Sequence, residues 1–354
     1  MKRFFSVLLL CAWATVMNAQ QIYFVSPNGT GDGSTWGSAC SLQYAVQHAT
    51  SADEIWAMAG YYYGNLVIGT NMTIRGGFAG TENSLQDRAP LTSMDISTIF
   101  STSQFSILDA TDSNRSVVRV DCDRFVMDRF TLTGGDTNFG GGLFMLNHAY
   151  LNLKDMNVCS NEVQGEGGGL YIDQVDSVRI ENIVVYNNTA HSRGGGIYFV
   201  QCDDLLLLAN ALIVGNDGGN FGGGIVFENT SAWVVNATIA ANQATDGDGI
   251  SLDCSNPVLY NTILFGNTVF KRTLPCNITY NQCDMSGNNV FMDVPNEDYR
   301  LMPGNNPCKN SGTWPSTFPF NTITTDLDHN SRISNGGDPG PNNNKVDKGA
   351  YELQ

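Results

Sequence analysis

Between Gly134 and Phe270 apolar and polar positions alternate in short bursts that return on a fixed beat. A glycine phrase followed by an apolar residue reads Gly140-Gly141-Gly142-Leu143, then Gly167-Gly168-Gly169-Leu170, Gly194-Gly195-Gly196-Ile197 and Gly222-Gly223-Gly224-Ile225. A worn copy follows as Asp248-Gly249-Ile250. Counted on the apolar residue, the steps are 27, 27, 28 and 25 residues. A second phrase, an apolar residue, two spacers and an asparagine, keeps the same phase and ends at Asn161, Asn188, Asn216, Asn242 and Asn267. Two phrases locked together over five copies mark a solenoid.

Each copy holds short β-branched runs such as Ile183-Val184-Val185, separated by Gly, Asn and Asp, which suit strands and turns. None holds an apolar 3.6-residue pattern long enough for a helix. A unit of this size accommodates three short strands and three turns, one coil of a parallel β-helix, with coils stacked at about 4.8 Å. The glycines are expected to form a corner that needs positive φ and leaves no side chain in the path of the next coil. The asparagines are expected to hydrogen-bond from coil to coil.

Ahead of the array, Ile22 to Val25 reads as a strand. Leu42, Ala45, Val46 and Ala49 fall at helical spacing behind Ser41 as N-cap. That short helix would lid the first coil, because an open solenoid end is a bare core with a free edge. Before it, Lys2 and Arg3 precede an apolar run from Phe4 to Val16, and cleavage is expected after Ala19. The run is too short to span a bilayer, and no later segment is apolar enough. Beyond Phe270 the beat is lost and Pro, Asn and Gly become dense. The expected division is therefore a signal peptide at 1–19, a β-helix with its N-terminal cap at 20–270 (regular repeats 134–270), and an irregular closing cap at 271–354, folded onto the last coils with no sorting domain after it.

Charge narrows the partners. The chain carries 18 basic and 34 acidic residues, a net charge of −16. This disfavours nucleic acid and anionic membranes and makes an unaided polyanionic substrate awkward. A soluble, exported monomer is expected, secreted or held at a cell surface. Of nine cysteines, Cys122, Cys159, Cys202 and Cys254 lie one to two coils apart and read equally as buried thiols or bridges. Cys276 and Cys283 are the better bridge candidates.

The opening (Ile22 to Val25, Gly31-Asp32-Gly33-Ser34-Thr35-Trp36, Gly76-Gly77-Phe78-Ala79-Gly80) resembles exported β-helix proteins of the pectate-lyase-like superfamily common in Bacteroidota. The GGGI and apolar-xxN phrases are similar to polymorphic outer-membrane protein repeats. The segments Asp298-Tyr299-Arg300-Leu301, Asp326-Leu327-Asp328 and Val346-Asp347-Lys348-Gly349-Ala350-Tyr351 resemble the choice-of-anchor module that ends such chains. The resemblance implies a right-handed parallel β-helix from a Gram-negative bacterium. It leaves activity open, because such proteins include binders, surface proteins and polysaccharide-cleaving enzymes. A polygalacturonase-like order of catalytic groups is not present: Asp203-Asp204 follows both His191 and Arg179-Ile180-Glu181. The acids a pectate-lyase-like calcium site would need (Asp155, Asp173, Asp176, Asp203, Asp204) are scattered.

The repeat also serves as a ruler, placing residues 27 apart side by side. The position before each glycine triplet reads Phe139, Glu166, Arg193, Phe221. With His191, Asn138 and Asn220 nearby, this column reads two ways. In one, Glu166, His191 and Arg193 act as acid, base and polarising groups while Phe139, Phe221, Asn138 and Asn220 hold a sugar. In the other, it is a solvated ion-pair ladder beside an aromatic ladder. Asp326, Asp328 and Asn330 have the i, i+2, i+4 spacing of calcium turns. Two functions follow from these alternatives: a non-catalytic β-helix that binds glycan or a partner surface, or a polysaccharide lyase or glycosidase working along one face.

Overall fold

In a computed structural model, described for residues 20–202, 204–271, 279–282, 290–303, 306–309, 311–313, 323–332 and 345–352, the beat becomes geometry. Leu143 pairs in parallel with Leu170, Leu170 with Ile197, Ile197 with Ile225 and Ile225 with Ile250. The second phrase stacks likewise, Val158 on Val185 and Ile213 on Ile239. The irregular first coils join the same sheets, with Ile22–Val25 against Glu54–Met58 and that strand against Met72–Phe78. The chain is a parallel β-helix, as its period implies.

Its corners are set by residues that tolerate left-handed backbone. The 17-residue strand Leu143–Cys159 turns at Asn147 (φ 59°) and Asp155 (φ 55°), and the coil continues through Ser160 (φ 54°) to Gly167 (φ 70°). The same four corners recur one coil on, at Gln174, Asn182, Asn187 and Gly194. Besides the three expected strands, a short fourth ladder joins Asp136–Phe139, Glu162–Glu166 and Thr189–Ala190. In each triplet only the first glycine needs positive φ. The second and third are held by crowding, since a Cβ on Gly168 would lie 2.3 Å from the Gly195 carbonyl oxygen.

Inward residues of each strand (Leu143, Met145, Leu151, Leu153, Met156, Val158) are fully buried and continue from coil to coil as one core. The corner asparagines close a ladder through it. Asn161 Nδ2 donates to Asn188 Oδ1 at 2.9 Å, Asn188 to Asn216 at 3.0 Å, Asn216 to Asn242 at 2.9 Å and Asn242 to Asn267 at 3.0 Å. A second ladder, which the period did not bring to notice, runs from Asn182 to Asp155 (2.7 Å) and Asn210 to Asn182 (2.8 Å). At the N-terminal end the helix Leu42–His48 forms behind Ser41, whose Oγ accepts from Tyr44 N at 3.1 Å. Leu42 and Ala45 bury onto the first coil.

The C-terminal segments depart from the expected placement on the last coils. Tyr299, Leu301, Leu327, Ala350 and Tyr351 pack against Cys159, Val184, Leu212, Ala240 and Ile263, so the described part runs along the flank of the solenoid as a strap. The reason is in the third strands. Ile183-Val184-Val185 and Ala211-Leu212-Ile213 are apolar on both faces, and a sheet apolar on both faces must be covered on both. The strap also meets the loop near Met94: Tyr351 Oη donates to the Met94 carbonyl at 2.9 Å, and Arg300 pairs with Asp95 at 2.6 Å. Arg332, with no exposed surface, donates to Asn210 Oδ1, Gly349 O and Ala350 O and pairs with Glu352 at 3.2 Å.

Cys40, Cys122, Cys159 and Cys202 are buried as thiols, the Cys202 Sγ donating to the Val200 carbonyl at 3.3 Å, and Cys254 is an exposed thiol, so the coil cysteines are thiols rather than bridges. Cys308 is disulfide-bonded. Cys276, Cys283 and the expected leader at 1–19 lie outside the described residues.

Candidate functional site

Alternation along the first strand of each coil sends Leu143 and Met145 inward and Phe144 and Leu146 outward. Stacking then builds outward columns. Arg119, Phe144, Tyr171 and Tyr198 stand on successive coils. Their rings form a ladder: Phe144 to Tyr171 at 5.3 Å and Tyr171 to Tyr198 at 5.4 Å between centroids, with Phe139 set against Tyr171 at 5.5 Å. Guanidinium groups close both ends, Arg119 over Phe144 at 5.0 Å and Arg193 over Tyr198 at 5.1 Å.

The column read from the sequence is present as expected: Phe139 pairs with Glu166, Glu166 with Arg193 and Arg193 with Phe221. Arg193 pairs with Glu166 at 2.5 Å and with Glu228 at 2.7 Å, and Tyr198 Oη also donates to Glu228. Burial alone would lower the Arg193 pKa, but Tyr198, Glu166 and Glu228 outweigh it and raise it. The Tyr198 phenol is pushed far up, first by burial and then by Glu228. One column over, the Asp173 carboxyl is also raised. Burial is the main cause and Glu228 adds to it, against hydrogen bonds from Gln174 and Tyr171.

His191 does not join this cluster. Its Nε2 lies 2.9 Å from Glu162 on the fourth ladder, with both side chains about half exposed. Asn138 and Asn220 are exposed beside the column, and Phe221 stacks on Phe270 at 5.8 Å. Asp326, Asp328 and Asn330 sit in the strap. Asp326 Oδ1 accepts from Asn330 N at 2.7 Å and Oδ2 from Glu352 N at 2.8 Å, while Asp328 pairs with Arg300 at 2.7 Å. Among the described residues no group of three or more His, Cys, Asp or Glu side chains converges as metal ligands would.

Sequence reasoning passed over one concave feature. At the corner after the first strand an open groove of about 830 Å³ is lined by Asn147, Gln174, Gln201 and Asn229, one amide per coil, and by Asp123, His148, Asp176 and Asp204. Register puts Asp176 beside Asp204 and Asn147 beside Gln174. His148 Nδ1 lies 3.5 Å from Asp123. The signal for it was available, because the 27-residue ruler applied to Asn147 rather than to Phe139 reads out this amide column. The aromatic ladder, the Asp173 and Glu228 column and the amide groove adjoin, forming one polar and aromatic surface along the solenoid axis.

This architecture defines a class. The family described as a right-handed β-helix region matches residues 141–306, and the fold is a right-handed parallel β-helix. Among solved structures, the chain is similar to pectate lyase Pel9A at 14% identity, with 95% of this chain and 97% of that chain covered and a TM-score of 0.46. It is also similar to a pectin methylesterase from Aspergillus niger at 16% identity, with 80% and 90% covered and a TM-score of 0.33. Neither likeness bears on the chemistry of this chain. No curated protein matches it. No helix among the described residues is long and apolar enough to cross a membrane.

Proposed function

We propose that this protein is an exported β-helix that binds a linear glycan laid along the solenoid axis, without cutting it. The observation that carries the reading is the adjoining aromatic ladder and amide groove, both repeating once per coil. Phe139, 43% exposed, offers its ring to a sugar, and the stacked Phe144 and Tyr171 add their outward edges. Gln174, Gln201 and Asn229 offer both donors and acceptors to hydroxyls. A ligand with its own axial repeat meets the same groups at each coil.

In this reading Glu166 and Arg193 brace the aromatic ladder. An arginine shared by two carboxylates is a poor base, and a carboxylate held by that arginine is a poor acid. His191 contributes a solvated pair at the rim, and Asn138, Asn220, Phe139 and Phe221 extend the contact surface. Asp326, Asp328 and Asn330 hold the strap's turn. Calorimetric titration with calcium checks that assignment, and binding at micromolar concentration would return them to a metal site.

The alternative, a polysaccharide lyase or glycosidase using the same face, has one observation behind it: burial raises the Asp173 carboxyl, which accepts a hydrogen bond from Tyr171 Oη at 3.1 Å on that face. Incubating the mature protein with a polysaccharide panel, with and without calcium, separates the two. Retention on immobilised glycan without new reducing or unsaturated ends supports binding, and product formation abolished by Asp173→Asn would replace it with catalysis.

A further inference from the structure

We propose that the strap and the loop at 91–99 form one longitudinal brace, which makes the coils open together rather than one at a time. In a plain solenoid each unit touches only its neighbours. Its stability is a sum of units and interfaces, and one end can open without the middle. The contacts on the third-strand flank break that rule.

One outward column runs along that flank from coil to coil. Ile107 pairs with Thr131, Thr131 with Asn157, Asn157 with Val184, Val184 with Leu212, Leu212 with Thr238 and Thr238 with Ile263. Their chain neighbours Leu132, Val158 and Val185 fill the inner core, so alternation turns the column outward. Each member is nevertheless at most 1% exposed. A face that long and that dry is covered along its whole length.

The cover has two parts that meet. Thr131 Oγ1 donates to the Ile99 carbonyl of the loop, and Thr238 Oγ1 accepts from Ala350 N of the strap at 3.0 Å. At the far end Gly349 lies on Ile263, where an added Cβ would sit 2.7 Å from Cδ1. Loop and strap are clasped to each other. Tyr351 Oη donates to the Met94 carbonyl at 2.9 Å, Arg300 Nη2 to Asp95 at 2.6 Å and Ser93 Oγ to Asp328 at 2.8 Å. These partners are 257, 205 and 235 residues apart in the chain. One connected cover therefore touches both the coil of Thr131 and the coil of Ile263. Opening any coil between them means lifting a piece that also covers the others, so the cost is shared by all.

Asn157 lies between the two attachment points. Its Nδ2 donates to Thr131 Oγ1 at 3.1 Å, while its Oδ1, equally buried, has no donor among the described residues. The cover closes over an unpaired acceptor, which costs free energy, and the rest of the column holds it shut. The brace is also the last part to be made. Until residues 298–352 follow the coils, the column stands bare.

The test is hydrogen exchange by mass spectrometry on the full chain in rising, sub-denaturing urea. It reads Phe130–Thr133 and Val258–Phe265 in the coils and Asp298–Leu301 in the strap. All three are expected to converge on one opening free energy. Leu327→Ala, fully buried in the strap, should lower protection in all three by a common factor of about ten or more. Tyr351→Phe, which removes only the hydroxyl that reaches Met94, should lower all three by a smaller common factor. It carries the comparison where Leu327→Ala does not fold. Asn157→Leu removes the unpaired acceptor and should raise all three together. Exchange at Asp298–Leu301 that runs ahead of both coils would overturn the brace. So would a loss in either strap variant that spares Phe130–Thr133, or an Asn157→Leu gain confined to its own strand.

Discussion

Arg193 donates through Nε and Nη2 to a single oxygen of Glu166, 27 residues away on the adjacent coil, at 2.9 and 2.5 Å. Its Nη1 reaches Glu228 at 2.7 Å, so one guanidinium ties three successive coils across their outer face. Arg193→Ala leaves two carboxylates facing each other with the cation removed. These side chains are 16% to 24% exposed, between surface and core. The expected loss is therefore about 2 kcal/mol, between an exposed pair and a buried one. Urea unfolding measures it. Glu166→Gln should be milder, and the double variant should fall short of the sum of the singles; strict additivity would show that the pair is not coupled.

The asparagine ladder is predicted to matter more than the ion pairs. Asn188 is fully buried. Its Oδ1 receives both the backbone and side-chain N–H of Asn161, and its Nδ2 serves Val158 O and Asn216 Oδ1. Asn188→Leu strands several buried polar groups at once, each worth about 1–3 kcal/mol, for a loss of at least about 3 kcal/mol. Asn267→Ala, at the partly exposed end of the same ladder, should cost less. A smaller loss at Asn188 than at Asn267 in urea titrations would mean that the ladder is not a continuous unit.

Glycine substitutions separate crowding from backbone freedom. A Cβ at Gly168 would meet the Gly195 carbonyl oxygen at 2.3 Å and the Thr189 backbone at 2.7 Å, and neither can yield without opening the stack. Gly168→Ala should unfold the protein several kcal/mol more easily, as overpacking does. At Gly69 a Cβ would find nothing within 4 Å, and φ there is not left-handed. Gly69→Ala should be neutral or slightly stabilising. Thermal melts of the two variants make the comparison, and similar melting temperatures would refute the close-contact account.

Most of the fold was legible because the solenoid translates sequence period directly into adjacency. Leu143 and Leu170 touch for the same reason that they are 27 apart. The ruler also found Glu166 beside Arg193. It did not reveal that Glu228 and Tyr198 complete that pair, since they stand in other columns, Glu228 beside Val200 and Tyr198 beside Tyr171, and Arg193 reaches sideways to them. It missed the groove because Asn147, Gln174, Gln201 and Asn229 lie outside both repeated phrases, although they share an amide side chain and a left-handed backbone. The strap was misplaced for a different reason. Its segments lack a period, and its position depends on the outward faces of Val184 and Leu212, which look the same in sequence whether they pack inward or beneath a covering segment.

The strap should hold less firmly as the medium turns alkaline. Glu352 is buried with Arg332, and desolvation raises its pKa from 4.5 to about 8, although Arg332 pulls the other way. A carboxyl raised in the folded state keeps its proton there while the unfolded chain has already lost it. Between about pH 4.5 and pH 8 the native state therefore binds more protons, and stability falls as pH rises through that window. The loss should be of the order of a few kcal/mol at most. Limited proteolysis or hydrogen exchange at 345–352 should show weaker protection at pH 8 than at pH 5. Glu352→Gln should flatten that dependence, leaving protection near the low-pH level of the parent. Protection that stays level or rises with pH in the parent would mean that Arg332 keeps Glu352 ionised throughout and that the strap is closed by a charged pair.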